Sequence, residues 1–158
     1  MFATLDPTSR RLRLPREQEV IINDTVGFIR DLPPDLISAF RATLEEIGGS
    51  SLLVHAVDIS NPRWPQQIRS VKSILADLHL SDIPTILALN KTDLVDEEFL
   101  DAALRQVQPE ASEVIAISAI SQASLTPLLE KAGAILARNL ARPSQHDDQR
   151  RFAISHIA

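Results

Sequence analysis

Apolar positions along the chain fall into two kinds of run that alternate. RLRLP (Arg11–Pro15) is short and interleaves arginine with leucine, which predicts an exposed edge strand. EVIIND (Glu19–Asp24) follows so closely that the two can form an antiparallel pair. SLLVHAVD (Ser51–Asp58), PTILALN (Pro84–Asn90) and VIAIS (Val114–Ser118) are nearly continuous apolar runs. That pattern belongs to strands buried on both faces of a parallel sheet. Helical spacing takes over between them. It appears over Leu36–Ile47 (Leu36, Phe40, Leu44, Ile47, with Gly48 and Gly49 as a stop) and over Pro65–Leu80 (Ile68, Val71, Ile74, Leu75, Leu78). It returns over Glu97–Val107 (Phe99, Leu100, Ala103, Leu104) and over Leu125–Leu140 (Leu128, Leu129, Ala132, Ile135, Leu136), the latter with a candidate cap at Ser124 or Thr126. The alternation predicts an α/β fold with a doubly wound, mostly parallel sheet and helices on both faces. Right-handed crossovers then bring the strand C-termini to one edge, where such folds bind ligands. After Arg142 the period is lost, so residues 143–158 are expected to be a C-terminal tail to a domain spanning residues 1–142.

Composition narrows the classes. A length of 158 residues, 44% of them apolar, suits one domain with a sizeable core. The net charge of −5 argues against nucleic-acid binding by bulk charge. There is no cysteine, so neither disulfides nor thiolate metal sites are available, which is compatible with the cytoplasm. No apolar run reaches the roughly 20 residues of a membrane span. No signal peptide is visible, since Asp6, Arg10 and Arg11 stand where an apolar stretch would be needed.

The chemistry sits at strand ends. Asp24-Thr25-Val26-Gly27 follows the EVIIN run. An aspartate there can hold a magnesium ion through water, and the glycine lets a backbone N–H approach a phosphate. Asn90-Lys91-Thr92-Asp93 follows PTILALN. Asp93 can accept from the N1–H and exocyclic amine of guanine, a donor pair that adenine lacks. Asn90 can tie neighbouring loops together, and the stem of Lys91 can cover a flat ring. Ser118-Ala119-Ile120 follows VIAIS, where small residues let backbone N–H groups meet the guanine carbonyl. Each signature alone is also ordinary turn chemistry, with Asp93 as a helix cap. Their order and spacing, about sixty and then about thirty residues, is the size of one or two βα units at each step.

With these motifs in place the chain resembles a translation-factor-class P-loop GTPase of the HflX family. The resemblance is carried by FATLDPTSRRL (Phe2–Leu12) and DTVGFIRDLPPDLISAFRATLEE (Asp24–Glu46), and it covers about residues 1–142. It implies a GTPase-type sheet, GTP and GDP binding with Mg2+, GTP hydrolysis, a cytoplasmic location and association with the large ribosomal subunit. Under it Phe2, Ala3, Thr4, Leu5 and Asp6 match the first switch, with Thr4 as a magnesium ligand. Asp24, Thr25, Val26 and Gly27 match the second switch, with Asp24 on the metal. Asn90, Lys91, Thr92 and Asp93 match the guanine loop, and Ser118, Ala119 and Ile120 the last base loop, where Ile120 replaces a common lysine. Phe28 stands where many GTPases place a water-orienting glutamine, which implies slow intrinsic hydrolysis helped by a partner; simple core packing is the other reading of this residue.

The phosphate loop is the missing part. Gly27, Gly48, Gly49 and Gly133 are the four glycines, and none opens a Gly-x-x-x-x-Gly-Lys-Ser/Thr run. The family's first strand, which lies between the strands ending at Asp24 and Asp58, and the helix after the loop are expected to be absent with it. That leaves a hole with two unpaired edges. MFATLDPTSR at the start therefore reads as the middle of a longer protein. Two functions remain open: a GTP-hydrolysing switch whose remainder lies elsewhere, or a nucleotide-binding-deficient remnant that keeps only surfaces for a ribosome or protein partner. His55, inside an apolar strand, reads as packed rather than catalytic, and Trp64 as a packing residue. His79, His146 and His156 lack metal-ligand spacing. Arg10, Arg11, Arg13 and Arg16 suit either ribosomal RNA phosphate or a protected sheet edge.

Overall fold

A computed structural model describes residues 8–15, 19–25, 47–108, 111, 113–140 and 151–157. Among them a single six-stranded sheet runs in the order β1-β2-β6-β3-β4-β5. β1 (Thr8–Arg13) and β2 (Glu19–Thr25) form the expected antiparallel pair, with Thr8 opposite Asp24 and Arg13 opposite Glu19. β3 (Leu52–Asp58) pairs in parallel with β4 (Thr85–Asn90), and β4 with the short β5 (Val114–Ala116). β3 and β4 are the two apolar runs, and they are buried nearly end to end. Continuous apolarity works because both faces of the sheet are covered.

On one face Leu52, Val54, Ile86 and Ala88 pack with Ala132, Ile135 and Leu136 of α3 (Gln122–Leu140). On the other, Val57, Leu87 and Leu89 pack with Trp64 and Ile68 of α1 (Trp64–Asp77) and with Ala103 and Val107 of α2 (Glu97–Val107). Leu53 joins Ile47, Ile74 and Leu75 beside them. Each large aliphatic side chain so buried stabilises the fold by about 1.5–3 kcal/mol relative to exposure. Trp64 is a core residue, as expected, and Pro65 occupies the first turn of α1, where its missing N–H costs nothing.

Helix ends follow local chemistry. Asp96 caps α2 by accepting from the Phe99 N–H at 2.7 Å, with Glu97 and Glu98 in the first turn where the helix dipole favours them. α1 stops at Asp77 rather than continuing to Leu80. The N–H of Leu80 bonds to the Leu75 carbonyl at 2.8 Å and that of His79 to Ala76 at 3.0 Å, a Schellman closure. It places His79 at φ 57°, a conformation glycine would adopt more cheaply. α3 begins at Gln122, ahead of the expected cap, so Ser124 and Thr126 lie within the helix. The helix expected over residues 36–47 lies outside the described residues except for Ile47.

The centre of the sheet differs from expectation. Residues 151–157, read from the sequence as part of a tail without a period, form strand β6 (Arg151–Ile157). It runs parallel to β2 on one side and to β3 on the other. The gap expected between the strands ending at Asp24 and Asp58 is thus filled, and both inner edges are paired. RFAISHI is short and mixes Arg151, Ser155 and His156 with apolar residues, so it carries no alternation by which a strand is recognised.

Candidate functional site

β4 and the end of β5 lie side by side, and the loops that follow them are tied together by side chains. Asn90, at the last position of β4, is 9% exposed. Its Oδ1 accepts from the N–H of Lys91 at 2.8 Å and from the N–H of Ala119 at 3.0 Å. One buried amide oxygen therefore fixes both loops. The carbonyl of Ile117 adds a second tie, accepting from the Thr92 N–H at 3.2 Å and the Thr92 hydroxyl at 3.1 Å. A third joins Ser118, 5% exposed, whose hydroxyl donates to Asp93 Oδ1. Ser124 completes the second loop. Its Oγ accepts from the Ser118 N–H at 2.9 Å, and its one proton faces the carbonyls of Ser118 and Ser121.

Lys91 takes φ 65°, the left-handed region. Such a conformation in a residue with a Cβ persists only where the surroundings over-determine it. Here the N–H is held by Asn90, and Nζ donates to Asp58 Oδ2 at 2.6 Å. Asp58 is the register partner of Asn90 on the neighbouring strand, so the lysine stem runs from the end of β4 back across the end of β3. The other oxygen of Asp58 accepts from the N–H and the hydroxyl of Ser60, at 3.0 and 2.6 Å. Partial burial pushes the Asp58 carboxyl up. The bonds from Lys91 and Ser60 and the pull of the ammonium outweigh it and hold the group below its usual range. Asp58 and Ser60 were not singled out by the sequence, although the Asp-x-Ser spacing after a strand is an Asx-turn signal.

The structure brings Asn90, Lys91, Thr92, Asp93, Ser118 and Ala119 into one cluster. Ile120 lies at its rim, 86% exposed. Asp24 is exposed near the end of β2, three strands from β4, and Thr25 is the last residue of that strand. Phe2, Ala3, Thr4, Leu5, Asp6, Val26, Gly27 and Phe28 lie outside the described residues. Among the described residues no group of three or more His, Cys, Asp or Glu gathers as a metal site. Asp24 fits a magnesium site only as one carboxylate acting through water, the arrangement in which Mg2+ keeps much of its hydration. No helix among the described residues is long and apolar enough to cross a membrane. His55, expected to be packed, is 4% exposed on β3, and its Nε2 has no hydrogen-bond partner. Burial lowers its pKa from 6.5 to about 4, so it is a neutral core imidazole at physiological pH.

Comparison with known proteins agrees with this layout. Residues 1–91 match the family model described as "50S ribosome-binding GTPase". The GTPase HflX of Magnetococcus marinus is 36% identical over 143 residues, covering 90% of this chain and 32% of the relative. That of Caldanaerobacter subterraneus is 49% identical over 96 residues (61% and 22%), and that of Escherichia coli 43% over 97 residues (61% and 23%). The chain thus spans between about a fifth and a third of the length of these relatives. A crystal structure of SsGBP with GDP superposes with a TM-score of 0.72 at 26% identity, covering 84% of this chain and 43% of that one. The strand-end loops, the sheet that carries them and the match over residues 1–91 converge: the chain belongs to the 50S ribosome-binding GTPase family, in its HflX branch.

Proposed function

We propose that the chain serves a GTP-binding and GTP-hydrolysing switch of the HflX type that associates with the large ribosomal subunit in the cytoplasm. The observation that carries this reading is the cross-tie of the two loops by Asn90 and by Ser118 with Asp93. It holds the Asp93 carboxylate on a cross-tied frame before any ligand arrives, and a preorganised frame loses little entropy on binding. Asp93 accepts the two guanine donors with the lone pairs that Ser118 leaves free. Ala119, whose N–H stays on Asn90, and Ile120 form the backbone side of the base loop, and the Lys91 stem covers the ring.

In this reading residues 1–142 carry the GTPase motifs, and β6 completes the sheet that supports them. Phe2 to Asp6 are the first switch, and Asp24 to Gly27 the second, with the Gly27 N–H directed to the γ-phosphate. Magnesium held by the Thr4 hydroxyl, and through water by Asp24, would neutralise charge on the phosphate oxygens. Phe28 cannot orient an attacking water, so hydrolysis depends on a partner that orders the switches. The cradle for the phosphates is proposed to come from a Gly-rich loop on a further segment, since none of the four glycines here opens one.

Thermal unfolding of the chain with GTP or GDP and Mg2+ tests the reading. A ligand that binds only the folded state stabilises it by about 2.7 kcal/mol at a hundred times its Kd. Stabilisation at micromolar nucleotide supports a working site. The same absence of phosphate-loop spacing favours a second reading, a nucleotide-binding-deficient remnant that keeps partner surfaces. No shift at millimolar GTP would select it.

A further inference from the structure

Lys91 is held more tightly than an exposed residue requires. Its side chain is 47% exposed, yet both of its ends are fixed. The N–H donates to Asn90 Oδ1 at 2.8 Å, and the ammonium donates to Asp58 Oδ2 at 2.6 Å. Between them the backbone stands at φ 65°, where a Cβ is unfavourable. Asp58 is the anchor of the pair. Its side chain is 16% exposed, and its Oδ1 is fixed by the N–H and the hydroxyl of Ser60, at 3.0 and 2.6 Å. Oδ2 is thereby left to the lysine at the end of the neighbouring strand, where Asp58 is the register partner of Asn90.

Stability does not account for this arrangement. A half-exposed ion pair contributes little to folding. A left-handed residue with a Cβ costs free energy, and such strain gathers where a ligand or a switch needs a fixed shape. What the pair does fix is the course of the lysine's four-carbon stem. A free stem samples many rotamers, and a ligand lying on it must take that freedom away. Here the carboxylate has removed it beforehand. The stem begins two residues before Asp93, in the loop whose frame is closed by Asn90 on Ala119 and by Ser118 on Asp93. The pair also commits the ammonium. Its charge is answered by Asp58 at the strand end, so Lys91 offers a ligand an apolar stem and not a cation.

We propose that Asp58 is a positioning residue of the base site: it lays the Lys91 stem in place as one wall for a purine ring and withholds the lysine charge from the ligand. The role rests on the guanine-base reading of the joined loops. Ser60 supports it by holding the other carboxylate oxygen.

Titration with GMP and AMP, followed by NMR, tests this in the full chain as parent, Asp58→Asn, Lys91→Met and the double variant. Asp58→Asn keeps an acceptor for Ser60 and loses the charge that holds the ammonium. Lys91→Met keeps an apolar stem but releases its end. Each single variant should bind GMP about two- to tenfold more weakly, the range expected for ordering one long side chain. The double variant should be no weaker than either single one, because both changes free the same stem. In the parent chain the two protons on Lys91 Cε should give separate resonances that merge in Asp58→Asn. Loss of the Asp58 turn alone would not move them. Losses that add in the double variant, or Cε proton resonances already merged in the parent chain, would overturn the inference. Tighter GMP binding by Asp58→Asn would show that the freed ammonium reaches the phosphate, and would equally overturn it. So would equal GMP affinity in the parent and Asp58→Asn when the parent prefers GMP to AMP. A parent chain that binds GMP no better than AMP would overturn the base-site reading itself, and the role of Asp58 with it.

Discussion

Lowering the pH should destabilise this protein through one identifiable side chain. His55 lies in the core with its pKa lowered to about 4 by burial, against 6.5 when exposed. The unfolded chain therefore binds a proton that the folded chain refuses, across the window between those values. Above pH 6.5 the imidazole is neutral in both states and costs nothing. As the pH falls from 6.5 to about 4, stability is lost continuously, and below about 4 the loss is complete. Linkage over that window gives a loss of about 2 kcal/mol at pH 5 and about 3 kcal/mol at pH 4. That is a large part of the 5–15 kcal/mol typical of a folded domain. Urea denaturation at pH 7.5, 6, 5 and 4, for the parent chain and for His55→Leu, isolates the effect because carboxylate titration is common to both. The gap between the two stability curves should widen toward acid by these amounts. Parallel curves from pH 7.5 to pH 4 would show that His55 is hydrated or partnered in the folded state, and would refute the reasoning.

Other consequences are local. His79→Gly removes a Cβ from a left-handed position at the end of α1 and should stabilise the chain by about 0.5–1 kcal/mol in the same denaturation assay. Asn90→Ala strands the N–H groups of Lys91 and Ala119 and should cost about 1–3 kcal/mol, with guanine-nucleotide binding falling in parallel by isothermal calorimetry. Asp58→Asn keeps an acceptor for Ser60 but loses the ion pair to a half-exposed Lys91. It should cost under about 1 kcal/mol, and the difference should shrink in high salt.

What was legible in the sequence, and what was not, follows from periodicity. β3 and β4 are long aliphatic runs ending in Asp58 and Asn90, and both were read with nearly their observed limits, because burial on two faces leaves an unbroken signal. β5 is shorter than the VIAIS run: the Ile117 N–H still donates to the Leu89 carbonyl, but its own carbonyl turns to Thr92, and Ser118 is held by Ser124. The Asn90 tie between loops was readable from residue type and place. The Asp58–Lys91 pair was not, since 33 residues separate its members and only the parallel register of β3 and β4 brings them together. β6 was illegible for a different reason. A seven-residue strand with Arg, Ser and His in it has neither alternation nor continuity, and its place in the sheet is set by the gap between its neighbours rather than by its own pattern. The early end of α1 was hidden because His79 occupies a position where the familiar stop signal is glycine.

Base selectivity decides whether the joined loops form a guanine-base site. Asp93 can accept two hydrogen bonds from guanine, whereas asparagine at the same place would offer a donor to the 2-oxo group of xanthine and repel the guanine amine. Calorimetric titration of the parent chain and of Asp93→Asn with GTP, XTP and ATP in Mg2+ gives six affinities. The parent chain should prefer GTP, Asp93→Asn should prefer XTP, and both should reject ATP. Each lost or mispaired bond to the charged carboxylate is worth about 1.5–3 kcal/mol, a tenfold or larger change in affinity. Equal binding of GTP and ATP by the parent chain, or a preference unmoved by Asp93→Asn, would contradict a guanine-base site.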